Sequence, residues 1–303
     1  MKRIIYILII VLLFCVSCGN SSVNENGTPV QKDCTVKWAG IRVSTYGMRS
    51  SYGRDNFPNE TKMTGFAGNM ESCYEGSTGA YLLIVGTMSG DDTCSLNFPV
   101  TGNYNYIRGS KTDLYESYLD AFDEAGYSVW LQVEPGYADL EKLVELVMDR
   151  YGHHSCVKGF GIDVEWHKPV EDVEEGTKLS DEDALKVLAK ARSYNPDYTV
   201  FVKHWDADWL PSAMDGFIYV DDWQMFKSLE QSVQVFSDWA ARFAPQPVMF
   251  QIGYERDRWL WNTFDNPAKE WGQTIVDGCK TGNDVGIIWV DFTLNEVIDK
   301  TDK

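Results

Sequence analysis

The chain has 303 residues, 44% of them hydrophobic, which is material for a sizeable core. Its formal net charge of −18 offers no basic footprint for phosphate backbones, so nucleic acid is excluded as a partner and anionic polymers are disfavoured. Five cysteines follow residue 18, at Cys34, Cys73, Cys94, Cys156 and Cys279, and no Cys-x-x-Cys pair or Cys/His spacing points to a zinc site.

Residues 1–17 begin with Lys2 and Arg3, continue as an apolar run and end in small residues. That is the layout of a secretory signal peptide, too short for a lasting membrane span. The stretch Cys15-Val16-Ser17-Cys18 resembles a bacterial lipobox, with Cys15 where Leu is usual. The resemblance implies a lipid on Cys18 and attachment to the membrane of the cell envelope; a plain secreted protein cut nearby is the alternative. Residues 18–33 are polar and lack periodicity, as a flexible tether does, leaving residues 34–303 as one domain.

Eight short β-rich runs then recur: Lys37 to Tyr46, Ala80 to Thr87, Ser128 to Glu134, Gly159 to Glu165, Tyr198 to His204, Gly216 to Asp221, Val248 to Gly253 and Val285 to Asp291. Helical patterns lie between most of them, at Asp113 to Ala125, Leu140 to Tyr151, Asp181 to Tyr194, Leu229 to Phe243 and Pro267 to Gly278. Ser180 is placed to cap the third of these, and Asn195-Pro196 ends it. Strand alternating with helix eight times predicts a single-domain (β/α)8 TIM barrel of the α/β class. A doubly wound sheet fits less well, because Thr45-Tyr46-Gly47-Met48 after the first run is no phosphate-binding turn. The segment from Met48 to Gly79 has no readable period and is expected to be a lid, a subsite wall or a surface elaboration. Cys73 and Cys94 are expected to be able to bridge in an oxidising compartment.

Alternate side chains of a strand face opposite sides, so each run divides into a barrel-lining and a helix-facing set. In Gly159 to Glu165 the apolar Phe160, Ile162 and Val164 share one side, which leaves Asp163 and Glu165 inward. The same test places Trp130, Gln132 and Glu134 inward, with Thr199, Phe201 and Lys203, and Gln251. It gives Arg42, Ser44 and Tyr46 in the first run, Ile287, Trp289 and Asp291 in the eighth, and either Asp221 or Asp222 in the sixth. Polar residues thus gather where barrel enzymes keep their sites, at the C-terminal ends of the strands. Several buried carboxylates balanced by Lys203 and Arg42 either form mutually satisfied pairs or include perturbed acids fit for general acid chemistry.

The sequence Gly159-Phe160-Gly161-Ile162-Asp163-Val164-Glu165-Trp166 resembles the fourth strand of glycoside hydrolase family 18, the chitinase-like barrels, whose pattern is Asp-Gly-x-Asp-x-Asp-x-Glu. Asp215 to Asp222 is similar to its sixth strand and Gly286 to Asp291 to its eighth, where an inward Trp floors the sugar site. Aligned on Gly161, Asp163 is kept, the third acid becomes Glu165, and the family's catalytic Glu falls on His167. A more distant likeness is to the lysozyme-like barrels of glycoside hydrolase family 25, which also use an Asp-x-Glu at a strand end.

The expected function is a cell-envelope glycoside hydrolase acting on a carbohydrate substrate without a cofactor. Glu165 would be the general acid with Asp163 assisting it, and Asp221 or Asp291 would orient water or a substrate group. Tyr46, Glu134, Lys203, Gln251 and Trp289 would bind substrate; Trp166, Trp205, Trp209 and Trp223, beside strand ends, suit sugar platforms, although each taken singly is read first as core packing. The alternatives are a glycan-binding lipoprotein without catalysis, and a metal-assisted hydrolase or lyase using Asp163, Glu165 and His204.

Overall fold

The computed structural model describes residues 32–299 apart from Asp55 and residues 171–175. The expected signal peptide, the lipidation expected at Cys18 and the expected tether up to Gln31 therefore lie outside the described residues. In chain order the elements are β1 (Thr35–Val43), α1 (Thr45–Tyr52), α2 (Glu60–Glu71), β2 (Thr78–Met88), β3 (Cys94–Leu96), β4 (Ile107–Gly109) and α3 (Glu116–Ala125). They continue with β5 (Ser128–Val133), α4 (Leu140–Tyr151), β6 (Val157–Asp163), α5 (Asp181–Arg192), β7 (Thr199–Lys203), β8 (Phe217–Asp221) and α6 (Leu229–Phe243). The last are β9 (Val248–Ile252), α7 (Arg258–Trp261), α8 (Pro267–Gly278), β10 (Asp284–Val290) and α9 (Leu294–Val297).

Strands β1, β2, β5, β6, β7, β8, β9 and β10 pair in parallel in that order, and β1 pairs with β10 to close the ring. This is a (β/α)8 barrel, and all eight strands fall within the runs read from sequence or one or two residues from their ends. Ser180 caps α5 by accepting from the Asp183 amide, as expected. Between β7 and β8 there is only a 3-10 turn, Ala207–Trp209, where the other barrel units carry a helix.

Two apolar layers result from strands buried on both faces. The barrel interior holds Trp38, Leu82, Trp130, Phe201, Val220 and Ile288, while Ile41, Leu131, Ile162, Val202, Phe250 and Ile287 belong to the layer under the helices. Gly161 leaves room for the Phe201 ring, which a Cβ there would meet at 2.2 Å. The inward assignments for β5, β6, β7 and β9 agree with this division. That for β10 is reversed: Ile288 lines the barrel, whereas Ile287 and Trp289 face outward. Parallel register puts Trp289 beside Ile41 and Ile288 beside Gly40, so the direction of β1 fixes that of β10. The eighth run is apolar on both sides, and pattern alone could not orient it.

The segment between β1 and β2 is ordered as two helices rather than an irregular insertion. Asn59 caps α2, which buries Met63, Phe66, Ala67 and Met70 at helical spacing. Gly65 and Gly68 within that stretch lower its helix propensity and mask the period. All five cysteines of the described residues are free thiols, so Cys73 and Cys94 are not bridged. Cys73 lies on the turn after α2 and contacts the Asn69 carbonyl, while Cys94 is buried in β3.

Candidate active site at the barrel mouth

The ends of β6, β7 and β8 bring one ammonium among three carboxylates. Lys203 Nζ lies 3.1 Å from Asp163 Oδ1 and 3.3 Å from Glu165 Oε1, and pairs with Asp222 Oδ2. Gln132 Nε2, from β5, donates to Asp163 Oδ2 at 2.9 Å. Asp163 and Lys203 are direct neighbours in the sheet, which sets their height. Glu165 leaves the strand on a 3-10 turn, Val164–Trp166, and reaches the rim: its side chain is 19% exposed against 3% for Lys203 and 2% for Asp163.

One cation cannot hold three buried carboxylates ionised. Burial raises Asp163, the nearby Lys203 opposes it, and the balance leaves the carboxyl at about 7. Burial and then the charge of Asp222 push Glu165 well above the usual carboxylate range. Asp222 is lowered, because Lys203 and a hydrogen bond from Glu165 outweigh its burial. The two shifts run in opposite directions, so a proton shared between them is biased toward Glu165 and away from Asp222. Lys203 stays charged, since the three carboxylates outweigh the cost of burying it. It fills the centre of the carboxylate group as its cation, and among the described residues no metal-ligating cluster includes Asp163, Glu165 or His204.

The other expected residues divide sharply. Asp222 takes the inward place in β8's continuation, following Ile218 and Val220; Asp221 shares the outward side with Phe217 and Tyr219, and burial pushes its carboxyl well above the usual carboxylate range. Asp221 accepts from the Trp223 amide at 2.8 Å and takes no part in the Lys203 group. Glu134, just past β5, is half-buried, with Oε2 accepting from the Met88 amide at 2.9 Å. Gln251 accepts from the Tyr254 hydroxyl at 3.0 Å, and its amide nitrogen is buried without a partner. Tyr46 lies in α1, where strand parity has ended; it is 73% exposed and stands edge-on to Phe292 at 6.0 Å.

Asp291 is fully buried, 2.7 Å from Arg42 Nη1, and accepts from the Ser44 amide and hydroxyl. Ser44 in turn caps α1. A Cβ on Gly47 would meet the Asp291 carboxylate at 2.1 Å, so the site leaves no space for water or substrate there. Trp289 donates to Thr293 Oγ1 at 3.0 Å and packs edge-on against Trp261, behind the barrel wall. It cannot floor a sugar site. The half-buried Trp205 and Trp223 lie 5.7 Å apart in the loops that follow Lys203 and Asp222, and Trp223 Nε1 has no partner.

Apart from the Lys203 group, none of whose members lines it, an open cleft of about 870 Å³ lies among the β3–β4 segment, the loops after β5 and β6 and the starts of α4 and α5, lined by Tyr104, Tyr106, Tyr137, Lys142, His167 and Lys168 among others. Tyr106 and Tyr137 are exposed, with rings 5.5 Å apart. Tyr106 and Lys168 both hold positive φ, at 57° and 46°, a strained backbone for residues with side chains. His167 is neutral, because burial lowers it, and its Nδ1 contacts the Thr177 carbonyl at 2.9 Å. Sequence reading left Asp222 undecided and passed over Tyr254, Tyr106 and Tyr137. The apolar Ile218 and Val220 carried the signal for Asp222; the tyrosines sit in loops, where no periodicity exists to read.

No protein-family model and no curated protein matches the sequence. Among solved structures the chain is similar to a β-glucuronidase from Parabacteroides merdae, with a TM-score of 0.46 at 11% identity over 88% of this chain and 32% of that one. It is similar also to a β-galacturonidase from Eisenbergiella tayi (0.42, 13%, 88% and 44%) and to a putative α-L-fucosidase from Bacteroides thetaiotaomicron (0.40, 12%, 86% and 87%). These neighbours are glycosidases, and the chain spans about a third of the length of the glucuronidase. The likeness is one of fold.

Proposed function

We propose that the chain is a glycoside hydrolase in which Glu165 protonates the departing glycosidic oxygen. The observation that carries this is geometric: Glu165 lies 3.3 Å from Lys203 at the rim and, at 19% side-chain exposure, is the member of that group with the clearest access to solvent, while burial and then Asp222 push its carboxyl well above the usual carboxylate range. Asp222, rather than Asp163, assists the acid, while Lys203 lowers Asp222 and Asp163 braces Lys203. Gln251 and Tyr254 are the hydrogen-bonding pair for a sugar hydroxyl, and Trp205 and Trp223 are the stacking faces. The cleft with Tyr106 and Tyr137 extends the binding surface away from the acid.

The test is hydrolysis of an oligosaccharide panel by the mature domain, with a chelator control, and the same assay on Glu165→Gln. Turnover in the wild type and its loss in the variant support the reading; full turnover in the variant removes Glu165 from the chemistry.

One observation favours a second reading, a glycan-binding protein without catalysis. Glu165 and Asp222 share a hydrogen bond, whereas paired glycosidase carboxylates stand roughly 5 Å apart or more. Glycan binding with no turnover on any panel member would decide for it. Export and a lipid on Cys18, placing the protein at the bacterial cell envelope, complete the proposal. They rest on residues 1–18 alone, and metabolic labelling with a fatty acid, abolished by Cys18→Ser, tests them.

A further inference from the structure

Remote from the mouth, α3 and the end of α4 assemble a second group of titratable side chains. Glu116, Asp120 and Asp123 share one face of α3, and His153 and His154 follow α4. The His154 side chain is 1% exposed, and its Nδ1 lies 2.8 Å from Asp123 Oδ2. Asp123 is itself held, accepting from Ser155 Oγ at 3.0 Å and from the Cys156 amide at 2.6 Å. A carboxylate in that position fixes the proton on Nδ1 and leaves Nε2 as a bare lone pair. Nε2 is buried and has no hydrogen-bond partner. It lies 3.8 Å from Glu116 Oε1, which is 3.3 Å from His153 Nε2. Ligands about 2.0–2.1 Å from a tetrahedral zinc ion stand about 3.3 Å from one another, so these three atoms need only small rotations to converge. Arg150, 2.8 Å from Glu116 Oε2, holds the other carboxylate oxygen and leaves Oε1 for the ion.

We propose that His153 Nε2, His154 Nε2 and Glu116 Oε1 bind one divalent transition-metal ion of the zinc class, with Asp123 as the outer carboxylate that orients His154. Two imidazole nitrogens select such an ion over calcium or magnesium, which take oxygen ligands. The two histidines are adjacent in sequence, a spacing outside the Cys/His patterns that signal zinc, and they meet Glu116 only through the packing of α3 beside α4.

The full mature chain, freed of metal by dialysis against a chelator, is titrated with Zn²⁺ in competition with a chromophoric chelator. One ion per chain is expected. His153→Ala, at an exposed position, and Glu116→Gln, at a half-buried one, should each weaken binding at least about tenfold, and Asp123→Asn by about 10–100-fold. Co²⁺ should give a visible d–d spectrum without a thiolate charge-transfer band. No stoichiometric binding, unchanged affinity in the folded double variant H153A/E116Q, or a thiolate band would each overturn the site.

A separate observation concerns the seam of the barrel. Cys34, just before β1, and Cys279, just after α8, are both buried, and the Cys34 amide donates to the Cys279 carbonyl at 3.4 Å. Cys34 Sγ lies 3.5 Å from Thr281 Oγ1, in the segment that directly follows Cys279, so both thiols belong to one buried pocket at the seam. We infer that Cys34 and Cys279, rather than Cys73 and Cys94, form the disulfide of this domain when a disulfide oxidant is supplied. With oxidised glutathione, the Cys34 thiolate attacks one sulfur and releases one glutathione thiolate; Cys279 then displaces the second. The protein loses two electrons and two protons, and the oxidant becomes two thiols. The hydrogen bond from Cys279 and its polar neighbours lower Cys34 to about 5, which makes it the attacking thiol. Peptide mapping without reductant should recover the two segments linked, and Cys279→Ser should stop at a glutathione adduct on Cys34. Recovery of free or glutathionylated thiols at both positions in the wild type, or of a different pair, would overturn the assignment.

Discussion

Two buried cation–carboxylate systems lie in the same ring of strands, and they are built to different balances. At the seam, Arg42 meets Asp291, and every oxygen of that carboxylate is taken up by the guanidinium or by Ser44. At the mouth, Lys203 meets Asp163, Glu165 and Asp222. The first closes on itself, has no free space and ties β1, α1 and the end of β10 together. The second carries more acid than its cation can neutralise, so Asp163 and Glu165 are both pushed up, and Glu165 is the one nearest solvent. Barrel position alone did not separate them; the ratio of charges and the space left over did.

The largest effect expected from breaking this contrast is on stability. Lys203→Met leaves Asp163 and Asp222 buried without their cation and should cost about 3–5 kcal/mol in denaturant unfolding. Asp291→Asn keeps part of its hydrogen bonding and should cost less, about 2 kcal/mol, with no change in glycan binding. If Lys203→Met were as stable as the wild type, the acids would be relieving themselves by protonation and Lys203 would not be what holds Asp222 ionised.

Glu165→Gln comes next. It keeps the shape and the hydrogen bond to Asp222 but has no proton to give, and turnover should fall by about 10²–10⁴-fold, the usual worth of a general acid. The variant should be no less stable than the wild type, because it removes a group that burial already keeps neutral. A parallel loss of stability would mean that the carboxyl mattered to packing rather than to chemistry.

The pH dependence separates the two systems without mutation. Asp163 and Glu165 have folded pKa values raised above their unfolded ones, so between about pH 4 and 7 the native state holds protons that the unfolded chain has released. Their contribution is present at low pH and is lost as pH rises through the folded values, with a slope of at most about 1.4 kcal/mol per pH unit for each proton. Asp222 has the opposite sign: lowered by Lys203, it stabilises above its unfolded pKa and fails as pH falls further. Hydrolysis should therefore disappear on the alkaline side as Glu165 ionises. Measured stability rising from pH 4 to 7 in the wild type, and equally in Asp163→Asn, would contradict the retained proton.

Much of this architecture was legible from residue pattern. The eight strands and five of the helices were visible because both periodicities are set by burial, and Asp163, Lys203, Gln132 and Gln251 received their direction from alternation within one strand, while Glu165 reaches the same group from the turn that follows β6. The reading failed where a run carries apolar residues on both sides. In β10 nothing in Val285 to Asp291 says which side is inward, and only its pairing with β1 decides it. It failed also just beyond strand ends, at Tyr46 and Asp291, where the backbone turns helical and alternation is no longer a guide. The α2 helix was hidden by its two glycines, although its buried Met63, Phe66, Ala67 and Met70 keep the period.

The smallest expected effect tests that lesson on two tryptophans. Trp289 lies behind the wall, packed on Trp261 and bonded to Thr293, so Trp289→Phe should cost about 1–2 kcal/mol of stability through the lost hydrogen bond and contacts, with glycan affinity unchanged. Trp223 stands half-buried beside Asp222 with its indole N–H unpartnered, so Trp223→Ala should leave stability nearly unchanged and weaken glycan binding by about 3–10-fold, the worth of one aromatic face. Affinity measured on both variants by titration decides between them. Weaker binding in Trp289→Phe with none in Trp223→Ala would return the sugar floor to β10 and with it the inward direction that the register of β1 denies.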